Sequence, residues 1–157
     1  MRVEQIMNPQ VLACRPHDSL NQAAQLMWEH RCGGVPVVNE TNYPVGFLTD
    51  RDICMAAYTK GTPIKEILVD QAMAHEVVTC NPDDKLISAA ELMRQHGKRR
   101  LVVVNPMGRL AGLLSLDDLA HEAARALRGG VNQPLRDLVL EVVLATSHGH
   151  GLVRPAT

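Results

Sequence analysis

Two short stretches of the chain hold the residues best suited to chemistry. The first is Gly46-Phe47-Leu48-Thr49-Asp50-Arg51-Asp52, and the second is Gly112-Leu113-Leu114-Ser115-Leu116-Asp117-Asp118. Both read as glycine, two apolar residues, a hydroxyl residue, two variable residues and an aspartate. A hydroxyl followed three positions later by an acid forms a capping box, in which the two side chains satisfy backbone N–H groups at the start of a helix. The same short carboxylate, at the C-terminal edge of a strand, is placed to accept both hydroxyls of a ribose. The glycine ahead of it lets backbone approach a ligand closely. The residues thus support a structural cap and a sugar-hydroxyl site, and recurrence at two places weighs toward the second.

The two stretches recur because the segment around them recurs. Shifted by 66 positions, residues 5–52 lie over residues 71–118 without a gap, and eighteen of those 48 positions are identical. Composition alone gives roughly three matches. Shared residues include Met7/Met73, Cys14/Cys80, Pro16/Pro82, Asp18/Asp84, Leu20/Leu86, His30/His96 and Asn39/Asn105. A unit of this length seldom stands alone, because half of its apolar surface needs a partner. Two copies side by side cover that surface and create clefts about a pseudo-two-fold axis, the usual place for a ligand.

One copy reads as strand, helix, strand, strand, helix. Val11-Leu12-Ala13-Cys14 is a short strand stopped by Pro16, and Asp18 or Ser19 caps the helix that follows. Leu20, Ala23, Ala24 and Met27 recur at i, i+3, i+4, i+7, as do Leu86, Ala89, Ala90 and Met93. The helices end near His30-Arg31 and His96-Gly97-Lys98, where cations suit the helix dipole. Val35-Pro36-Val37-Val38 and Leu101-Val102-Val103-Val104 are buried strands. After a polar turn, the strands Val45–Leu48 and Leu110–Leu114 run into the last helix. Residues 57–70 connect the copies, broken at Gly61 and Pro63. The fold class is α+β: two βαββα repeats, 3–60 and 69–127, packed about a pseudo-two-fold axis within a 1–127 domain.

Residues 128–157 form a C-terminal extension. Gly129-Gly130 stops the last repeat helix, and Pro134 opens a new one with Leu135, Leu138, Val139, Val142 and Val143 on one face. That stripe needs a cover. The remainder reads as a flexible tail, in which His148 and His150 are too few ligands for a metal.

Composition narrows the function. The 157 residues are 46% hydrophobic, 21% charged and 3% aromatic, with a net charge of −1. Such a chain is globular and has neither the basic field nor the stacking platforms that hold nucleic acid. No apolar run approaches the roughly 20 residues of a membrane span, and the first residues lack a signal-peptide pattern, so the expected location is cytoplasmic. Cys14, Cys32, Cys54 and Cys80 form no C-x-x-C pair. Cys14 and Cys80 read as small buried hydrophobes in a reducing compartment.

With the repeat and its two junctions in hand, the chain resembles the CBS domain, named for cystathionine β-synthase, present twice over about residues 3–126 as a CBS pair or Bateman module. Val45–Ile53 resembles small stand-alone bacterial CBS-pair proteins. The resemblance implies that Thr49 with Asp52, and Ser115 with Asp118, bind the ribose of an adenine nucleotide. It also implies clefts shared between repeats. The Asp52 cleft then uses Phe47, Val77, Val78, Arg99 and Arg100. The Asp118 cleft uses Leu113, Leu12, Ala13, Gly33, Gly34 and Arg51. Lys98-Arg99-Arg100 in one repeat stands where Cys32-Gly33-Gly34 stands in the other, so fixed guanidinium donors for phosphate occur on one side only.

The expected function is a regulatory module that senses an adenosyl ligand such as AMP, ADP, ATP, NAD or S-adenosylmethionine. No obligatory cofactor, catalytic residue or metal is implied, since no nucleophile–base pair, ligand set or phosphate-cradling loop stands at recognisable spacing. The alternative is a structural dimerisation module with vestigial clefts. A homodimer through the helices is expected, with the face around Trp28 and Met27 and the Leu135–Val143 stripe as candidate surfaces. Any regulated target acts in trans.

Overall fold

The computed structural model of the protein describes residues 1–128 and 133–147. The first repeat contains α1 (Leu20–Glu29), β1 (Gly34–Val38), β2 (Pro44–Thr49) and α2 (Asp50–Lys60). The second contains β3 (Thr79–Cys80), α3 (Leu86–His96), β4 (Arg100–Val104), β5 (Leu110–Ser115) and α4 (Leu116–Arg128), and α5 (Gln133–Ser147) follows. Ser19, not Asp18, caps α1. Its hydroxyl accepts the Gln22 N–H at 3.2 Å while Gln22 Oε1 accepts the Ser19 N–H at 2.8 Å. Asp18 and Asp84 instead accept the backbone N–H groups of Arg15 and Asn81 and close the preceding turn. The Gly129-Gly130 stop and the tail from residue 148 lie outside the described residues.

β1 and β2 pair antiparallel, as do β4 and β5, and β3 lies parallel to β4. The expected strand at Val11–Cys14 does not form; only Cys14 pairs, opposite Val37. Pro36 is the reason. In repeat two the Val102 N–H donates to the Val78 carbonyl at 3.2 Å. Pro36 occupies the equivalent place and has no N–H to give. The carbonyl of Leu12 loses its ladder bond, and the strand shrinks to one bridge.

The repeats are interlocked by reciprocal exchange. The Val3 N–H donates to the Asp84 carbonyl at 2.9 Å, and the Val69 N–H to the Asp18 carbonyl at 2.8 Å. Asn8 pairs antiparallel with Leu113, and Ala74 with Phe47. Each pair maps onto the other under the 66-residue shift, as a two-fold relation requires. The exchange carries side chains with it. Val3, Ile6 and Met7 pack into the repeat-two core around Leu86, Met93, Leu101 and Leu114. Val69 and Met73 pack into the repeat-one core around Leu20, Met27, Val35 and Leu48.

This exchange also accounts for Gly46 and Gly112. A Cβ on Gly46 would stand 3.0 Å from the Ala74 carbonyl oxygen, and one on Gly112 would stand 3.1 Å from that of Asn8. The glycines admit the crossing segment and its methionine, not a ligand as their place in the motif suggested.

α5 answers where the C-terminal stripe goes. Leu135, Val139 and Val142 are buried among Leu86, Ala89, Ala90, Met93, Leu119 and Ala123 of the same chain, and Arg94 pairs with Glu141 at 3.7 Å. Leu138 is half-buried and Val143 exposed. Among the described residues no such helix covers α1 and α2 of repeat one. There Trp28 and Tyr58 are 85% and 81% exposed, whereas Met27, expected beside Trp28 at the surface, is 5% exposed and belongs to the core. Among the described residues no helix is long and apolar enough to cross a membrane.

Candidate functional site

Thr49 ends β2 and Asp52 lies in the first turn of α2, so the strand-to-helix junction itself sets their geometry. The Thr49 N–H and hydroxyl both donate to Asp52 Oδ2, at 2.8 and 2.7 Å, and the Asp52 N–H donates back to Thr49 Oγ1 at 3.1 Å. Ser115 and Asp118 repeat this at 2.8, 2.6 and 3.2 Å. The capping box therefore exists in both repeats. It engages one carboxylate oxygen and leaves the other: Oδ1 of each aspartate accepts no hydrogen bond from the described residues. Cap and ligand contact are compatible, because the cap fixes the side chain while Oδ1 stays available.

Around Asp52 the chain forms a cavity of about 220 Å³ lined by Phe47, Thr49, Asp52, Val77, Val78, Arg99 and Arg100, together with Ala74, Glu76, Lys98 and Val102. The residues expected of this cleft come together from both repeats. Val77 and Val78 are half-buried and offer an apolar wall opposite the Phe47 ring. The Phe47 ring packs on Gly34, where a Cβ would stand 2.8 Å from its edge, so glycine at 34 is required by the aromatic wall of the other cleft. The side chains of Lys98, Arg99 and Arg100 enter no hydrogen bond or ion pair among the described residues. A half-buried carboxylate, an apolar slot and uncommitted cations can hold a sugar, a flat base and an anion.

The pseudo-equivalent cavity, about 200 Å³, joins Leu12, Gly34 and Leu113 with Asn8, Gln10, Val11, His30, Cys32, Val35 and Pro36. Its lining does not include Ser115, Asp118, Ala13, Gly33 or Arg51. Ser115 instead faces a separate cavity of about 120 Å³ with Arg99, Arg100, Leu116 and Asp117. The residues expected of the Asp118 cleft are therefore divided, and among the described residues no lysine or arginine lines the larger part. Sequence reading passed over Glu76, Ala74, Asn8 and Gln10. The signal was available, since these residues precede the expected first strand at matching offsets, but it needed knowledge of the crossing.

Among the described residues no group of three His, Cys, Asp or Glu side chains could hold a metal. Cys14 and Cys80 are free and buried. Desolvation pushes both thiols up from 9.0 to about 12, reinforced by the charges of Asp18 and Asp84. They are poor nucleophiles, in keeping with a packing role.

Comparison with known proteins places this geometry in context. The family model for the CBS domain matches residues 3–58 and 64–125. The CBS domain-containing protein YhcV of Bacillus subtilis is 38% identical over 122 residues, covering 75% of this chain and 82% of that protein. Among solved structures, CBSX2 of Arabidopsis thaliana in complex with AMP superposes with a TM-score of 0.69 at 26% identity, over 81% of this chain and 98% of that one. The CBS domain pair of protein MJ0100, in complex with 5′-methylthioadenosine and S-adenosyl-L-methionine, shares the fold with a TM-score of 0.69 at 23% identity, over 83% and 98% of the two chains.

Proposed function

The chain belongs to the CBS-domain family, and on that premise we propose that it is a non-catalytic regulatory module that binds an adenosine-containing ligand in the Asp52 cleft. The observation that carries this reading is the convergence on one cavity of Thr49 and Asp52 from repeat one with Val77, Val78, Arg99 and Arg100 from repeat two. Asp52 Oδ1 takes the ribose hydroxyls, Phe47 and the two valines flank the base, and the guanidinium groups take phosphate. A ligand so placed bridges the repeats and biases their relative packing, which is the change a target in trans reads. The relatives with AMP, S-adenosyl-L-methionine and 5′-methylthioadenosine support the ligand class. The unpaired cations favour a phosphorylated member, AMP, ADP, ATP or NAD, over cationic S-adenosylmethionine.

Two copies of the chain associate through α1 and α2. Trp28, Tyr58 and Met55 are exposed there, and neither Leu20–Trp28 nor Ile53–Thr59 contains a charged residue. Aromatic and Met enrichment with few charges is the composition of an interface centre. That surface also favours the second reading, a dimerisation module whose clefts stay empty. Thermal-shift screening of the full chain against AMP, ADP, ATP, NAD and S-adenosylmethionine separates the two. The sensor reading expects the melting temperature to rise with AMP and not to rise in Asp52→Ala, and a uniform lack of response refutes it.

A further inference from the structure

α5 is apolar on two sides. Leu135, Val139 and Val142 are buried on α3 and α4, while Leu140, Val143 and Leu144, spaced i, i+3, i+4, form a second stripe that is exposed. A helix apolar on both sides is built to be covered on both. Repeat one carries a matching recess. Ala24, Met27, Trp28, Cys32, Asp50 and Ile53 line an open groove of about 920 Å³ on α1 and α2. Under the 66-residue shift Ala24, Met27 and Ile53 correspond to Ala90, Met93 and Leu119, which pack with α5 in repeat two. Ala24 and Ala57 are half-buried where their counterparts Ala90 and Ala123 are buried. The groove is not a second seat for the buried stripe, because Arg94, which pairs with Glu141, has Trp28 as its counterpart. Instead Trp28, Met55 and Tyr58 offer an exposed aromatic and Met surface that suits an aliphatic stripe. Charge agrees: Arg136 and Asp137 flank the stripe, and Glu29, Arg31 and Asp50 edge the groove, so both surfaces have an uncharged centre and both signs at the margin.

We propose that the α1–α2 groove of one copy receives the exposed stripe of α5 from a second copy, so that each α5 is held between its own α3 and α4 and the α1 and α2 of the other chain. This rests on reading α1 and α2 as the association surface, and it names what meets them. Relative to repeat one, the helical surface of repeat two is raised by one helix layer, about 8–10 Å. A two-fold axis sets the raised part of each copy into the recess of the other and closes the assembly at two copies. Both patches are then buried on both copies. Two aromatic, one Met and three aliphatic side chains per copy supply most of the roughly 800 Å² per partner that a stable interface needs. The C-terminal extension, rather than a direct meeting of repeats, thus carries the contact.

Trp28 is the only tryptophan of the chain, so its fluorescence reports what covers the groove. In the full chain the emission is expected to shift to the blue between nanomolar and high micromolar concentration, in step with a doubling of mass by light scattering. Leu140→Gln combined with Leu144→Gln should raise the concentration needed for both changes by at least about ten-fold, with helix content by circular dichroism unchanged. Leu140→Gln alone serves if the double variant loses its fold. Cross-linking gives a second measurement. With Cys32 and Cys54 replaced by serine, a short bis-maleimide should join Trp28→Cys copies to Leu144→Cys copies and neither kind to itself. A blue shift and dimer mass that survive the α5 substitutions, or Trp28→Cys copies that cross-link to one another, overturn the proposal and leave association through α1 and α2 standing. A chain that stays monomeric with unshifted emission at high micromolar concentration overturns that association itself, a different outcome.

Discussion

The Asp52 and Asp118 clefts share one motif and one cap geometry, yet only the first assembles its expected lining. The motif is therefore not the site. What separates the clefts lies in the opposite repeat: Arg99-Arg100 lines the Asp52 cavity, while Gly34 and Pro36 line the other. The outer faces differ as well. Repeat two is covered by α5, whereas repeat one presents Trp28 and Tyr58 to solvent. Each repeat specialises through residues that its neighbour, or the extension, supplies.

Paired substitutions break or sharpen this comparison. The largest effect is expected from Asp52→Ala against Asp118→Ala. The first removes tight AMP binding, while the second leaves it within a few-fold; isothermal calorimetry measures both. Each variant also loses one capping box, so each should lose about 1 kcal/mol of stability in urea. Equal AMP affinity in the two variants would show that the clefts are interchangeable.

Next comes the covering helix. Leu135 is 1% exposed in the repeat-two core, and Leu135→Ala should cost about 2–5 kcal/mol by chemical denaturation. Trp28→Ala on repeat one should change monomer stability by less than about 0.5 kcal/mol. It should nevertheless lower the mass seen by light scattering if α1 and α2 join two copies. A stability loss for Trp28→Ala matching that for Leu135→Ala would erase the distinction between the faces.

A smaller change should come from the ends of α1 and α3. Arg31 adopts φ 52°, the left-handed region, where its counterpart Gly97 sits at φ 60°. Arg31→Gly relieves strain of about 1–2 kcal/mol but adds chain entropy to the unfolded state, for a net gain of up to about 1 kcal/mol. A fall in melting temperature would mean that Arg31 makes a contact worth more than its strain.

The cores of the two repeats should respond alike to alkaline pH. Burial raises both Cys14 and Cys80 from 9.0 to about 12. The unfolded chain releases these protons first, so the folded state binds more protons in that window and its stability falls as pH rises from about 9 toward 12. Below that window the contribution is fully present. Replacing both cysteines by alanine should flatten the fall in urea midpoint, and an unchanged slope would remove the thiols as its cause.

Much of this was legible in the sequence because the repeat supplies its own alignment. Offsets of 66 residues placed the helices and the buried strands, while the lining of the Asp52 cavity came from the resemblance to the CBS pair. Local patterning could not say that Val3 enters the second core and Val69 the first, since an apolar residue looks the same whichever partner covers it. Without the crossing, Gly46 and Gly112 resembled ligand-approach glycines, and Ala74 and Asn8 carried no signal. Pro36 was visible, but its effect depends on which carbonyl lies opposite, a matter of register and not of propensity. Likewise Gly34 was read through its missing charge, whereas its place against the Phe47 ring is a fact of packing.

The exchange of leading segments has a consequence for the order in which the chain becomes a protein. Val3 has nowhere to dock until Asp84 and the strands beyond it have left the ribosome. The first core likewise stays open until Val69 and Met73 emerge. Synthesis therefore passes through a period in which nearly half the chain is made and neither core is complete, and the first core can close well before the second.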